Sequence, residues 1–155
     1  MRPTFRLPIA ALALLLAAPA LAAPAAAPKF KVQVTLSAQA QARLAKLKEA
    51  ITVSAMYSGA PNKAGAKIAM EGEIDLGNEE ITKTPAGAAL DFDFVGKGYK
   101  AGDLKYVAGK PRLLINVYSA RRVADDNLLD CAIHDGAIDA AGAKPIAIAC
   151  KLIEE

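Results

Sequence analysis

The sequence predicts a mainly β fold: a two-layer antiparallel β-sandwich of about eight strands, with one short helix near the mature N-terminus. Three observations predict it. Apolar and polar residues alternate with a period of two along most of the chain, the pattern of strands with one wet face. Turn residues break these runs at short intervals. Only one stretch has helical spacing, and one helix cannot cover the apolar faces of so many strands, so the strands must cover one another. A curled barrel is the alternative closure.

The chain opens on Met1 to Arg6, a head with two positive charges and no acid. From Leu7 to Leu21 it is apolar apart from two prolines, and Ala20-Leu21-Ala22 fits the small-x-small pattern of a signal-peptidase site. Residues 1–22 are therefore expected to be a cleaved signal peptide. An anchor needs about 20 apolar residues, and Pro19 interrupts this run. No cysteine follows it to accept a lipid. Residues 23–28 are only Ala and Pro, a flexible leader, and residues 29–155 form a single β-sandwich domain.

Within that domain, Phe30, Val32, Val34 and Leu36 alternate with Lys31, Gln33 and Thr35 as a first strand. Ser37 is placed to cap a helix from Ala38 to about Lys48, with Ala40, Leu44 and Leu47 on one side. Ile51, Val53, Ala55 and Tyr57 begin a second strand that ends at Ser58-Gly59-Ala60-Pro61-Asn62. Ile68, Met70, Ile74 and Leu76 oppose Lys67, Glu71, Glu73 and Asp75, which predicts a strand with Gly72 as a bulge on its apolar face. A short strand around Ile81 follows, then one with Leu90, Phe92 and Phe94 opposing Asp91 and Asp93, then a short strand from Asp103 to Val107. The consecutive apolar residues Leu113, Leu114 and Ile115, with Val117 and Tyr118, predict a central strand over 112–120. Cys131 and Ile133 share a parity before an Asp135-Gly136 turn signal, and Ile146, Ile148, Cys150 and Leu152 close the fold.

Composition removes several functional classes. Losing Arg2 and Arg6 with the signal leaves 17 basic residues against 16 acidic ones, so the apparent pI of 8.9 gives no support to a nucleic-acid partner. There is no long basic run and no Trp. A single histidine, His134, expected near a turn and exposed, excludes a multi-histidine metal site. Its neighbour Asp135 would point to the opposite face of a strand, and no serine sits in a nucleophile-elbow context. Cys131 and Cys150 are the only cysteines, and in an oxidising compartment the pair is expected to be a disulfide pointing inward. Their spacing permits a bridge between neighbouring strands or one across the sandwich.

The candidate partner surface consists of charged residues. Glu71, Glu73 and Asp75 line one strand face and Asp91 and Asp93 another, so pairing of those strands would create an acidic patch. Such a patch suits a basic partner, calcium or paired-carboxylate chemistry, although solvated acids are the commoner outcome. Asp125, Asp126, Asn127 and Asp130 form a second oxygen-rich cluster, without EF-hand spacing. Arg121 and Arg122, directly after the central strand, are a candidate anion-binding pair. Charge is segregated: residues 29–67 sum to +6, 68–93 to −6, 94–122 to +6 and 123–155 to −5. These blocks either pair across strands or separate into a dipole suited to electrostatic docking.

With no catalytic constellation, no catalytic residue, cofactor or metal is assigned. The expectation is a non-enzymatic, exported protein-binding module, periplasmic or secreted, with an inhibitor or immunity-type protein of the cell envelope as its concrete form. Its partner is another envelope or exported protein or a second copy of itself, with no nucleic acid and no transmembrane anchor after cleavage. The alternatives are a homo-oligomeric structural or accessory envelope protein, a small-ligand carrier using Phe92, Phe94 and Tyr118, and a carboxylate-based hydrolase.

Overall fold

A computed structural model describes residues 26–142 and 144–155; the predicted signal peptide and the start of the leader lie outside the described residues. Eight strands form two sheets of four. They are β1 (Phe30–Leu36), β2 (Ile51–Gly59), β3 (Ile74–Lys83), β4 (Ala89–Phe94), β5 (Arg112–Ser119), β6 (Leu129–Cys131), β7 (His134–Ala137) and β8 (Ile146–Leu152), with helix α1 (Ala38–Leu47) between the first two. One sheet has the order β4-β1-β8-β6 and the other β3-β2-β5-β7. Five of the six strand pairings are antiparallel; β1 and β8 run parallel. A parallel pair needs a crossover connection, and here it is nearly the whole domain, so closing this pair brings both ends of the fold together.

The alternation read along the chain becomes the core. Val32, Val34, Val53, Ala55, Phe92, Leu113, Ile115 and Ile148 all face inward and are almost fully buried. Phe94 stacks on Phe30 with ring centroids 5.0 Å apart. Helix α1 begins where Ser37 accepts a hydrogen bond from the Ala40 N–H, and it buries Ala40 and Leu44. It ends at Lys48 in the left-handed conformation, whose N–H satisfies the last carbonyls.

Three strand expectations are corrected. The run from Lys67 to Leu76 does not form one strand, because Glu71 (φ 51°) and Gly72 (φ 84°) make a two-residue reversal. Met70 and Glu73 exchange backbone hydrogen bonds across it, as in a type I′ hairpin turn. Ile68 and Met70 are left exposed, and β3 starts only at Ile74 and runs on through Ile81. The bulge lies at Leu76-Gly77 instead, opposite Tyr57, where Gly77 has φ 96°. Residues 101–106 form a 3-10 helix rather than a strand. Asn62 takes up the backbone carbonyl of Lys105 and its N–H bonds that of Tyr106, so this segment needs no ladder neighbour. Asp135-Gly136 is not a turn but part of β7, opposite Leu114 and Leu113. The chain changes sheets at Ala132-Ile133, which leaves Ile133 exposed.

The disulfide joins neighbouring strands. Cys131 and Cys150 are bonded directly across the β6–β8 pair, with Cα atoms 4.1 Å apart. The Ala132 N–H donates to the Ala149 carbonyl one step along, which makes the cysteines a non-hydrogen-bonded pair, the closer of the two antiparallel arrangements. Cys150 is buried and Cys131 is half-buried.

Candidate partner-binding surface

The acidic residues singled out in the sequence do not form one patch. β3 and β4 belong to different sheets, so Glu73 and Asp75 stand on one sheet and Asp91 and Asp93 on the other. Each has a partner. Asp93 lies 3.3 Å from Lys31 across β1–β4, and Asp91 accepts from the Gln33 amide at 3.1 Å. Lys100 bonds Asp75 and, with the Gly77 N–H, lowers that carboxyl below its ordinary value. Glu73 is 4.0 Å from Arg112, which also holds Asp135. Glu71 sits at the exposed reversal. Of six ion pairs among the described residues, five join chain blocks of opposite charge, so those blocks mainly meet as cross-strand and strand-to-loop pairs.

In the Asp125 to Asp130 cluster, Asn127 and Asp130 are committed to the fold, while Asp125 and Asp126 are exposed. Asn127 Oδ1 accepts from the Ser119 and Leu129 N–H groups, and its amide donates to the Leu129 carbonyl. Its side chain builds the turn into β6. Asp130 lies 3.7 Å from Lys151. Among the described residues, no three His, Cys, Asp or Glu side chains are grouped to hold a metal. His134 is half-buried in β7, contrary to the exposed position expected, and its Nε2 is buried without a hydrogen-bond partner. It shares the inward side with Ile115, its register partner, which is why it leaves the surface. Phe92 and Phe94 are packed in the core, whereas Tyr118 lies on the outer side of the other sheet and donates to Glu80. They therefore face different sides of the sandwich.

Arg121 and Arg122 are placed very differently. The carboxylate of Glu49 is fully buried at the end of α1, yet among the described residues no cation pairs with it. Four backbone N–H groups do so instead: Ala50 (2.9 Å) and Arg122 (3.1 Å) on Oε1, Val123 (2.8 Å) and Ala124 (3.1 Å) on Oε2. Burial alone pushes this carboxyl up, but the four donors outweigh it and hold it below its ordinary value. The loop after β5 is thus tied to the start of β2. Its arginine side chains remain exposed, and neither forms an ion pair among the described residues. Arg121 has φ 55° and lies 6.0 Å from the centroid of the Tyr118 ring. Lys48, the other cation beside Glu49, has φ 56°. These two are among only three non-glycine residues with left-handed backbone in the described chain. Glu49 carried no signal of this role in the sequence, since its three loop donors lie 73 to 75 positions away.

A second buried carboxylate works in the same way. Glu79, brought to the inward side by the Gly77 bulge, accepts from the Gly96 (2.8 Å) and Lys97 (2.9 Å) N–H groups. Burial first, and the Glu79 charge second, raise the pKa of the enclosed Tyr57. Outside the core there are shallow clefts. One of about 220 Å³ lies between Arg43 of α1, Asp126 to Leu128 and Leu152 to Glu154. Another of about 440 Å³ on the outer side of β2, β3 and β5 is lined by Met56, Met70 and Leu114 among polar groups.

These features define a disulfide-bonded, two-sheet β protein with one corner where a loop anchored through its backbone exposes Arg121 and Arg122. No helix among the described residues is long and apolar enough to cross a membrane. Comparison with protein-family models, curated proteins and solved structures finds no match.

Proposed function

We propose that this chain is a non-enzymatic protein-binding module of the cell envelope, of the inhibitor or immunity type, which docks through the corner carrying Arg121 and Arg122. The observation that carries this reading is the Glu49 clasp. A buried carboxylate is costly unless it is fully hydrogen-bonded, and here it fixes the backbone of one exposed loop. A loop held this way loses little conformational entropy on docking. Apart from Glu71, the acids of the other candidate surface are engaged within the fold, so they offer less to a partner. The disulfide is consistent with export, and the periplasm is the proposed compartment.

The test uses tagged mature protein purified from its own envelope and sized by gel filtration. A stoichiometric complex with one exported protein is expected. It should be lost in Arg121→Glu/Arg122→Glu and kept in Lys63→Glu/Lys67→Glu, a charge-matched change at other exposed cations. Recovery of the free protein alone, or equal loss in both variants, overturns the reading.

A further inference from the structure

Resting on that reading, we infer that the partner presents an acidic segment with an uncharged apolar side chain beside it, received by the corner formed by α1 and the 121–128 loop. Lys46 and Lys48 in the last turn and cap of α1 and Arg121 and Arg122 in the loop are all exposed, and none of the four forms an ion pair among the described residues. Glu49, the anion between Lys48 and the loop, is enclosed and satisfied by backbone donors, which leaves Asp125, Asp126 and Glu154 as the exposed anions of this corner. The Glu49 clasp brings the end of α1 to the Arg122 backbone, and exposed cations without an ion pair attract carboxylates and set the rate and orientation of encounter. Asp125 and Asp126 follow in the same loop, so its exposed cations lie at the Arg121–Arg122 end, the end tied to Glu49.

The apolar part of the proposal comes from two neighbouring features. Val123, between Arg122 and Ala124 in the clasp, is 58% exposed, as is Ile153 at the cleft against α1. That cleft, about 220 Å³, falls below the roughly 300–1,000 Å³ of small-molecule sites and suits a single large side chain. Leu128, Leu152 and Ile153 supply its apolar wall. Asp126 and Glu154 share its lining with Arg43, so a partner carboxylate is disfavoured inside it and an uncharged side chain is admitted. An aliphatic or aromatic anchor in a small pocket, flanked by charge pairs, is the common arrangement of binding hot spots. The partner chemistry that fits is therefore acidic residues on the Lys48–Arg122 side and a Leu-like residue in the cleft.

Isotope-labelled mature protein is titrated with a Glu-rich peptide containing one central Leu, with its Gln-for-Glu counterpart, and with phosphatidylglycerol vesicles. Amide shifts should centre on residues 46–48, 121–128 and 152–154 for the Glu peptide alone. Affinity should fall at least about tenfold in Arg121→Glu/Arg122→Glu, and likewise between about 50 and 300 mM salt. Ile153→Asp, at an exposed position, should weaken the Leu peptide but not one with Gly in place of Leu. Equal binding of the Gln peptide, shifts elsewhere, or binding of vesicles without the peptide overturns the inference. Should an arginine-dependent envelope complex be found while the Glu peptide fails, the partner chemistry is wrong and the binding-module reading stands.

Discussion

Glu49 shows how one residue connects stability to the docking corner. Its carboxylate meets four N–H groups and no cation, so its replacement strands donors from both the end of α1 and the loop. Glu49→Gln keeps one acceptor oxygen, loses the charge and brings an NH₂ against N–H groups. We expect a loss of about 3 kcal/mol in chemical denaturation, from the strength of hydrogen bonds to charged groups. The pH dependence follows from the lowered pKa. A carboxyl held below its usual 4.5 in the folded state stabilises the protein above that value, and this contribution is lost as pH falls through the folded pKa. Denaturation midpoints measured from about pH 7 to 3 should therefore fall more steeply for the wild type than for Glu49→Gln. An identical acid limb in both would show that the clasp is not what ionises Glu49.

At the scale of elements, backbone constraint decides where strands stop and bend. Gly77 has φ 96°, and a Cβ there would lie 2.1 Å from the Gly98 carbonyl oxygen, a backbone atom that cannot swing away. Gly72 has φ 84° but open space around it. Gly77→Ala should cost about 3 kcal/mol or more and Gly72→Ala about 1, the first through a clash plus strain and the second through strain alone. Similar thermal midpoints for the two variants would show that the close approach of Gly98 does not constrain position 77. The disulfide acts on the short, three-residue β6, which has little ladder of its own. Cys131→Ser should lower stability by about 3 kcal/mol, in the chain-entropy view of a loop this size. Intact mass with alkylation should show no uptake before reduction and two groups after it.

For the whole molecule, the parallel β1–β8 pair places the first and last strands side by side, with α1 against both. Ser37 also donates to Glu155, so the start of α1 and the C-terminal residue meet at this end of the fold. Upstream, Ala27 and Pro28 lie against Gly96, where a Cβ would come within 2.7 Å of Ala27. Export is tested on the complete chain. Protein recovered by osmotic shock should have a mass beginning at Ala23, and a mass that retains residues 1–22 would remove the envelope from the proposal.

The sequence alone determined the β class, most strand positions, the helix with its Ser37 cap, and the inward parity of the core, because these follow from local periodicity and capping chemistry. The Glu71-Gly72 reversal was written locally too, but the alternation of Ile68, Met70, Ile74 and Leu76 runs straight through it and masks it. Arg121 and Arg122 were legible as an exposed pair. What holds them was not. Only the tertiary structure decided that β3 and β4 would part into different sheets, that the cysteines would bridge neighbouring strands, and that Glu49 and Glu79 would be buried. The physical reason is the same in each case. Strand partners and the backbone donors that make a buried carboxylate tolerable are supplied by distant parts of the chain, and local pattern assigns such acids to the surface.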